Sequence, residues 1–98
     1  MSQKNHDRQK RFSSVLKQAL SEALLHLGLS QACIIEVDVS ADLKQALVWL
    51  NSQNAQETQN TINKINAEKK QLMSWLKKTI YARYLPNIVF NNYNDICP

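Results

Sequence analysis

The hydrophobic repeat of this chain changes twice along its length, and that restricts it to a fold that mixes helices with sheet. From about Arg8 to Leu27 the apolar residues Phe12, Val15, Leu16, Ala19, Leu20, Ala23, Leu24 and Leu27 recur at intervals of three and four, as one face of a helix requires. Gly28 follows where a left-handed cap is expected. From Cys33 to Val39 the period falls to two, with Cys33, Ile35, Val37 and Val39 on one face and Ile34, Glu36 and Asp38 on the other. After Ser40-Ala41-Asp42 a second alternation sets Lys44, Ala46, Val48 and Leu50 against Gln45, Leu47 and Trp49. The short joining segment predicts an antiparallel hairpin. Trp49 reads as part of the sheet's core.

Asn51 to Asn60 is rich in Asn, Gln and Ser and marks a loop or helix start. The helical period returns from about Glu57 to Tyr81, where Ile62, Ile65, Leu72, Met73, Leu76 and Ile80 share one stripe. Lys69 falls in the middle of that stripe. A lysine there must snorkel, or the helix must break near Glu68 to Lys70 so that its halves bury different faces, and a break is expected. Trp75 lies at the stripe's edge. Tyr84-Leu85-Pro86 halts the helix, Ile88-Val89-Phe90 supplies a third strand, and residues 91–98 read as a short polar tail. The expected fold is therefore α+β, a single domain over residues 1–98 with a three-stranded sheet and helices on one face.

Composition removes several function classes. The chain has 98 residues and a single glycine, too few glycines for a phosphate-cradling loop or for the GxxG clamp of an ordinary KH domain. No apolar stretch approaches the roughly 20 residues that cross a bilayer. The polar start Met1 to Arg8 has no apolar signal core, so a cytoplasmic chain is expected. Cys33 and Cys97 lack CxxC spacing and read as apolar filler, and neither metal nor cofactor is expected. His6 lies in the polar lead and His26 near a helix end, neither with an acid, base or nucleophile partner in sequence. Glu36 and Asp38 read as the wet side of a strand. Catalysis is not expected.

Charge is placed unevenly. Residues 1–31 carry a net +3, residues 32–60 a net −3 and residues 61–98 a net +4, within a total of +4. With a screening length of about 8 Å, the acidic middle does not cancel lysines farther away, and the basic ends suit a polyanion. On the second helical segment Lys70 and Lys77 are in near register two turns apart, flanked by Lys64 and Lys78. Any one of these lysines reads most simply as a solvated charge. It is the cluster that suggests a ligand.

Two segments carry a family likeness. Val37-Asp38-Val39-Ser40-Ala41-Asp42-Leu43-Lys44-Gln45-Ala46-Leu47-Val48 and Arg83-Tyr84-Leu85-Pro86-Asn87-Ile88-Val89-Phe90 resemble the hairpin and last strand of ribosome-binding factor A proteins, and the basic helix opening Arg8-Gln9-Lys10-Arg11 fits as well. The likeness spans nearly the whole chain. It implies a KH-like (type II) α-β-β-α-(kink)-α-β fold. It also implies a monomeric cytoplasmic factor without catalytic activity, binding the immature small ribosomal subunit and its rRNA, with ribosomal proteins as further partners, and assisting late rRNA maturation, notably in the cold. The chain departs from the family at the kink: Glu68-Lys69-Lys70 stands where Ala-x-Gly is usual, and Met73 where an arginine is usual.

On this reading Arg8, Lys10, Arg11, Lys64, Lys69, Lys70, Lys77, Lys78 and Arg83 contact RNA phosphates from one cationic surface built by both ends of the chain. The competing reading is a diverged KH-like protein-interaction module without rRNA binding, docking through Trp49, Trp75 or Tyr81.

Overall fold

The computed structural model describes residues 2–29, 31–80 and 85–95, with side chains from Arg8 to Asn94. Helix α1 spans Ser2–His26, strands β1 and β2 span Cys33–Val39 and Gln45–Asn51, helices α2 and α3 span Ala55–Ala67 and Lys69–Thr79, and strand β3 spans Asn87–Asn92. The strands form one sheet in the order β1-β2-β3, β1 antiparallel and β3 parallel to β2. This is the expected α+β order, with the helices on one sheet face. Helix α1 starts earlier than its apolar stripe, so residues expected as a polar lead continue the helix.

The stripe on α1 becomes core: Leu16, Ala19, Leu20, Ala23 and Leu24 are buried, whereas Val15, expected among them, is 50% exposed. The helix closes as its glycine requires. Gly28 adopts φ +72°, and the Leu29 amide reaches back to the Leu24 carbonyl at 2.7 Å, the bond of a Schellman cap. Facing α1 across the core are Val37, Val39, Ala46, Val48, Leu50, Ile88 and Phe90 of the sheet.

The faces expected for β1 need correction. Its register shifts between Ile34 and Glu36, a bulge that adds one residue and reverses the phase of everything before it. Ile34 rather than Ile35 therefore points toward the core, Ile35 is 38% exposed, and Cys33 is exposed rather than apolar filler. Trp49 is not core either. It sits half-buried on the helix-free side, edge-on to Tyr93 with ring centroids 6.5 Å apart.

The hairpin turn is held by its polar residues. The Leu43 amide donates to the Ser40 carbonyl at 2.9 Å, and Leu43 takes φ +60°. Asp42 Oδ1 accepts from Ser40 Oγ (2.6 Å) and from the Lys44 amide (3.0 Å), and Ser40 Oγ accepts from the Gln45 amide (3.0 Å). Such side-chain bonds replace those the turn's backbone cannot make to itself.

The polar tail at 91–98 is also corrected. Asn91 and Asn92 lie in β3, and Tyr93–Asp95 form a 3-10 turn; residues 96–98, with Cys97, lie outside the described residues. Buried Asn92 donates to the Ala55 carbonyl at 2.9 Å. Thr58, wholly buried, donates to Asn94 Oδ1 at 2.7 Å, and its hydroxyl lies 2.6 Å from that of Ser52. These asparagines tie the chain's end to the start of α2, whose first turn is capped by Asn54 Oδ1 accepting from the Glu57 amide at 2.8 Å.

The Ser40 and Lys44 donors hold the Asp42 carboxyl below the usual aspartate range. A carboxyl so lowered stabilises the folded state fully above the ordinary value of about 3.9, and the contribution is lost as pH falls through the lowered folded value. Urea unfolding of the parent and of Asp42→Asn is expected to show the variant less stable near about pH 6, with a smaller gap at about pH 2, where the carboxyl is taking up its proton. A gap of equal size at both would contradict this account of the turn.

Candidate nucleic-acid interface

The candidate interface lies around the break between α2 and α3. The residue between them, Glu68, has φ −108° and ψ 23°, a conformation open to any L-residue. Its amide donates to the carbonyls of Ile65 (3.1 Å) and Lys64 (3.2 Å), and its own carbonyl accepts from Leu72 (3.1 Å). The chain thus turns without the family's glycine, and Lys70, in that glycine's place, is an exposed helical residue. Beyond the break, Leu72, Leu76 and Ile80 are buried beside the Ile62 and Ile65 of α2, and Met73 is half-buried. Each half of the broken stripe therefore buries its own apolar residues.

Lys69 has a defined place. It is half-buried, and its Nζ donates to the Ile88 carbonyl at 2.8 Å. Because the Asn87 amide donates to the carbonyl of Lys44, the residue before β2, the alternating peptide groups of β3 turn the Ile88 carbonyl to the sheet's open edge, where no strand among the described residues serves it. The lysine supplies the missing donor and fastens the start of α3 to that edge.

Lys70, Lys77 and Lys78 are exposed. Lys70 stands between two shallow grooves. One, about 440 Å³, is lined by Lys69, Lys70, Met73, Ser74 and Lys77. The other, about 370 Å³, lies between α3 and the end of α1, where Lys70 and Lys78 meet His26 and Trp75. Farther along, Thr79 and Ile80 meet Val15, Ala19 and Glu22, so α3 runs back along α1 in the opposite direction. Lys64 is exposed in the last turn of α2, before the break.

Arg8, Lys10 and Arg11 are exposed at the other end of α1. Gln9 Nε2 donates to the Val39 carbonyl at 3.0 Å, which fixes this end over β1, and Lys10 shares a groove with Glu36 and Asp38. The 16 residues from Lys10 to His26 span about 24 Å of helix. The N-terminal cations thus form a group of their own beside acidic residues, rather than one continuous surface with Lys70. Arg83 and Tyr81 lie outside the described residues. Sequence reasoning did not pair His26 with Trp75, whose rings lie 6.4 Å apart. The two are 49 positions apart in the chain, so no local pattern links them. Among the described residues no helix is long and apolar enough to cross a membrane.

A three-stranded mixed sheet covered on one face by a long helix and a broken one defines a class shared with solved proteins. The structure superposes on ribosome-binding factor A from Thermus thermophilus with a TM-score of 0.74 at 20% identity, covering 87% of this chain and 96% of that one. It superposes equally, at 0.74 and 22% identity, on a Thermotoga maritima protein classed with ribosome binding factor A, covering 86% and 85% of the two chains. In sequence, ribosome-binding factor A of Trichodesmium erythraeum is 30% identical over 87 residues, 82% of this chain and 64% of that relative. The chain therefore spans under two thirds of the relative's length. The sequence model of the family, ribosome-binding factor A, matches residues 8–95. The chain belongs to the ribosome-binding factor A family.

If the Lys69 amine serves the sheet edge, Lys69→Met, which keeps the stem, is expected to lower unfolding stability by about 1 kcal/mol. Its affinity for ribosomal particles should change far less than when Lys70 is replaced. Unchanged urea stability together with a large loss of binding would show that the amine contacts ligand instead.

Proposed function

We propose that this chain is a ribosome assembly factor that binds the immature small ribosomal subunit through its rRNA and assists late maturation of that RNA, with residues 1–98 acting as one RNA-binding domain. The observation that carries the reading is the exposure of Lys70, Lys77 and Lys78 on a single helix around two grooves. Membership of a family named for ribosome binding agrees with it. Lysines act as point charges, so they supply affinity and salt sensitivity, while the contour of the folded RNA selects the site. Arg8, Arg11 and Lys64 add phosphate contacts at the margins, Arg83 is a further candidate, Lys69 is tied to the Ile88 carbonyl, and Lys10 shares its groove with Glu36 and Asp38. No step of this role calls on bond-making by the protein. It acts as a cytoplasmic monomer by binding and leaving, in a role suited to growth in the cold, where misfolded RNA is slow to rearrange.

The protein-interaction alternative has less to stand on. Trp49 is engaged by Tyr93, and Trp75 lies among lysines rather than in an apolar patch. Reversing Lys70 and Lys77 together to Glu should leave the fold intact, since both are exposed, and weaken co-sedimentation with small ribosomal subunits by roughly tenfold or more at moderate salt. Co-sedimentation equal to the parent's would remove α3 as the contact surface.

A further inference from the structure

Two grooves of similar size flank charged side chains at opposite ends of α1, and they differ in what they could hold. The one beside β1 brings Lys10 together with Glu36 and Asp38; those carboxylates repel phosphate. The groove at the other end has no carboxylate among its described lining residues and combines Lys70 and Lys78 with His26, Trp75, Gln71 and Ser74. At about 370 Å³ it falls at the small end of the roughly 300–1,000 Å³ typical of small-ligand sites, a size suited to one nucleotide unit rather than to a helix.

From this we infer that the groove between the end of α1 and α3 receives a single unpaired nucleotide of the RNA, its base stacked on Trp75 and His26 and its flanking phosphates held by Lys70 and Lys78. The inference rests on the RNA-binding reading above and adds to it that part of the RNA must be single-stranded. Trp75 is half-buried and packed against the core, which holds the indole in a fixed orientation while its outer part lines the groove. His26 is exposed on the last turn of α1, its ring 6.4 Å from the indole and tilted by 31°. Both rings line the groove, so a base that enters it meets aromatic surface on which to stack. Gln71 and Ser74 offer donors and acceptors for a base edge. A duplex offers no free base faces to such a site, whereas an unpaired base stacks on aromatic side chains whatever its identity.

The test uses the full chain with Trp49→Phe, which leaves Trp75 as the only tryptophan. Its emission is followed during titration with a single-stranded RNA hexamer of adenosines and uridines, and with a blunt-ended RNA duplex that has no unpaired base. Binding is read in parallel by anisotropy of the labelled RNAs. Saturable quenching by the hexamer and not by the duplex is expected. In the otherwise unaltered chain, His26→Ala is expected to weaken hexamer binding by roughly fivefold or more, the scale of one lost stacking contact, and duplex binding by much less. The His26 measurement does not depend on how well the Trp49 variant folds. A hexamer that binds without altering Trp75 emission, a duplex that quenches as strongly, or equal losses for both RNAs on His26→Ala would overturn this inference and leave the RNA-binding reading standing. If neither RNA nor small subunits bound the parent protein, both would fall.

Discussion

The hydrogen bond from Lys69 to the Ile88 carbonyl governs how the second half of this molecule is arranged. An uninterrupted helix from Ala55 to Thr79 would leave a lysine inside its own apolar stripe, at a cost that burial of an unpaired amine makes large. Breaking the helix at Glu68 lets Ile62 and Ile65 bury against the sheet from α2, while Leu72, Leu76 and Ile80 bury from α3. The amine is left at an open strand edge that needs a donor. One side chain thereby satisfies a carbonyl, fixes the start of α3 and orients the exposed lysines that follow.

Glycine is not needed for this. The left-handed backbone found among the described residues occurs at Gly28 and Leu43 and not at the break, where the peptide groups of Glu68 remain bonded on both sides. Where the family usually carries glycine, this chain presents the exposed side chain of Lys70. A cation on a long flexible stem reaches farther from the helix than a backbone amide can. The same end of the molecule carries Trp75 and His26, so charge and aromatic rings meet in one groove.

Much of this was legible in sequence because it was periodic. The α1 stripe, the hairpin and the helix break all follow from apolar spacing, and the break followed from a single misplaced lysine. What escaped the sequence was non-periodic or non-local. Ile34 and Ile35 are equally apolar, so nothing in composition says which one a bulge will turn inward. Asn92 and Asn94 look like a solvated tail until Ala55, Ser52 and Thr58 are seen to use their amides. The candidate site was legible as a set of lysines, not as an arrangement. That Lys69 would turn to a carbonyl 19 residues away, or that Lys10 would face acidic residues of β1, depends on the tertiary fold.

The central claim is that this fold recognises RNA by fixed positive charge, and the dependence of small-subunit affinity on salt addresses it most directly. With the logarithm of the association constant plotted against the logarithm of monovalent salt concentration, each phosphate neutralised contributes about −0.7 to −0.9 to the slope. The three exposed lysines of α3 predict a slope of about −2 or steeper. A slope near zero, with affinity unchanged from low to high salt, would contradict the account and place recognition on an apolar surface instead.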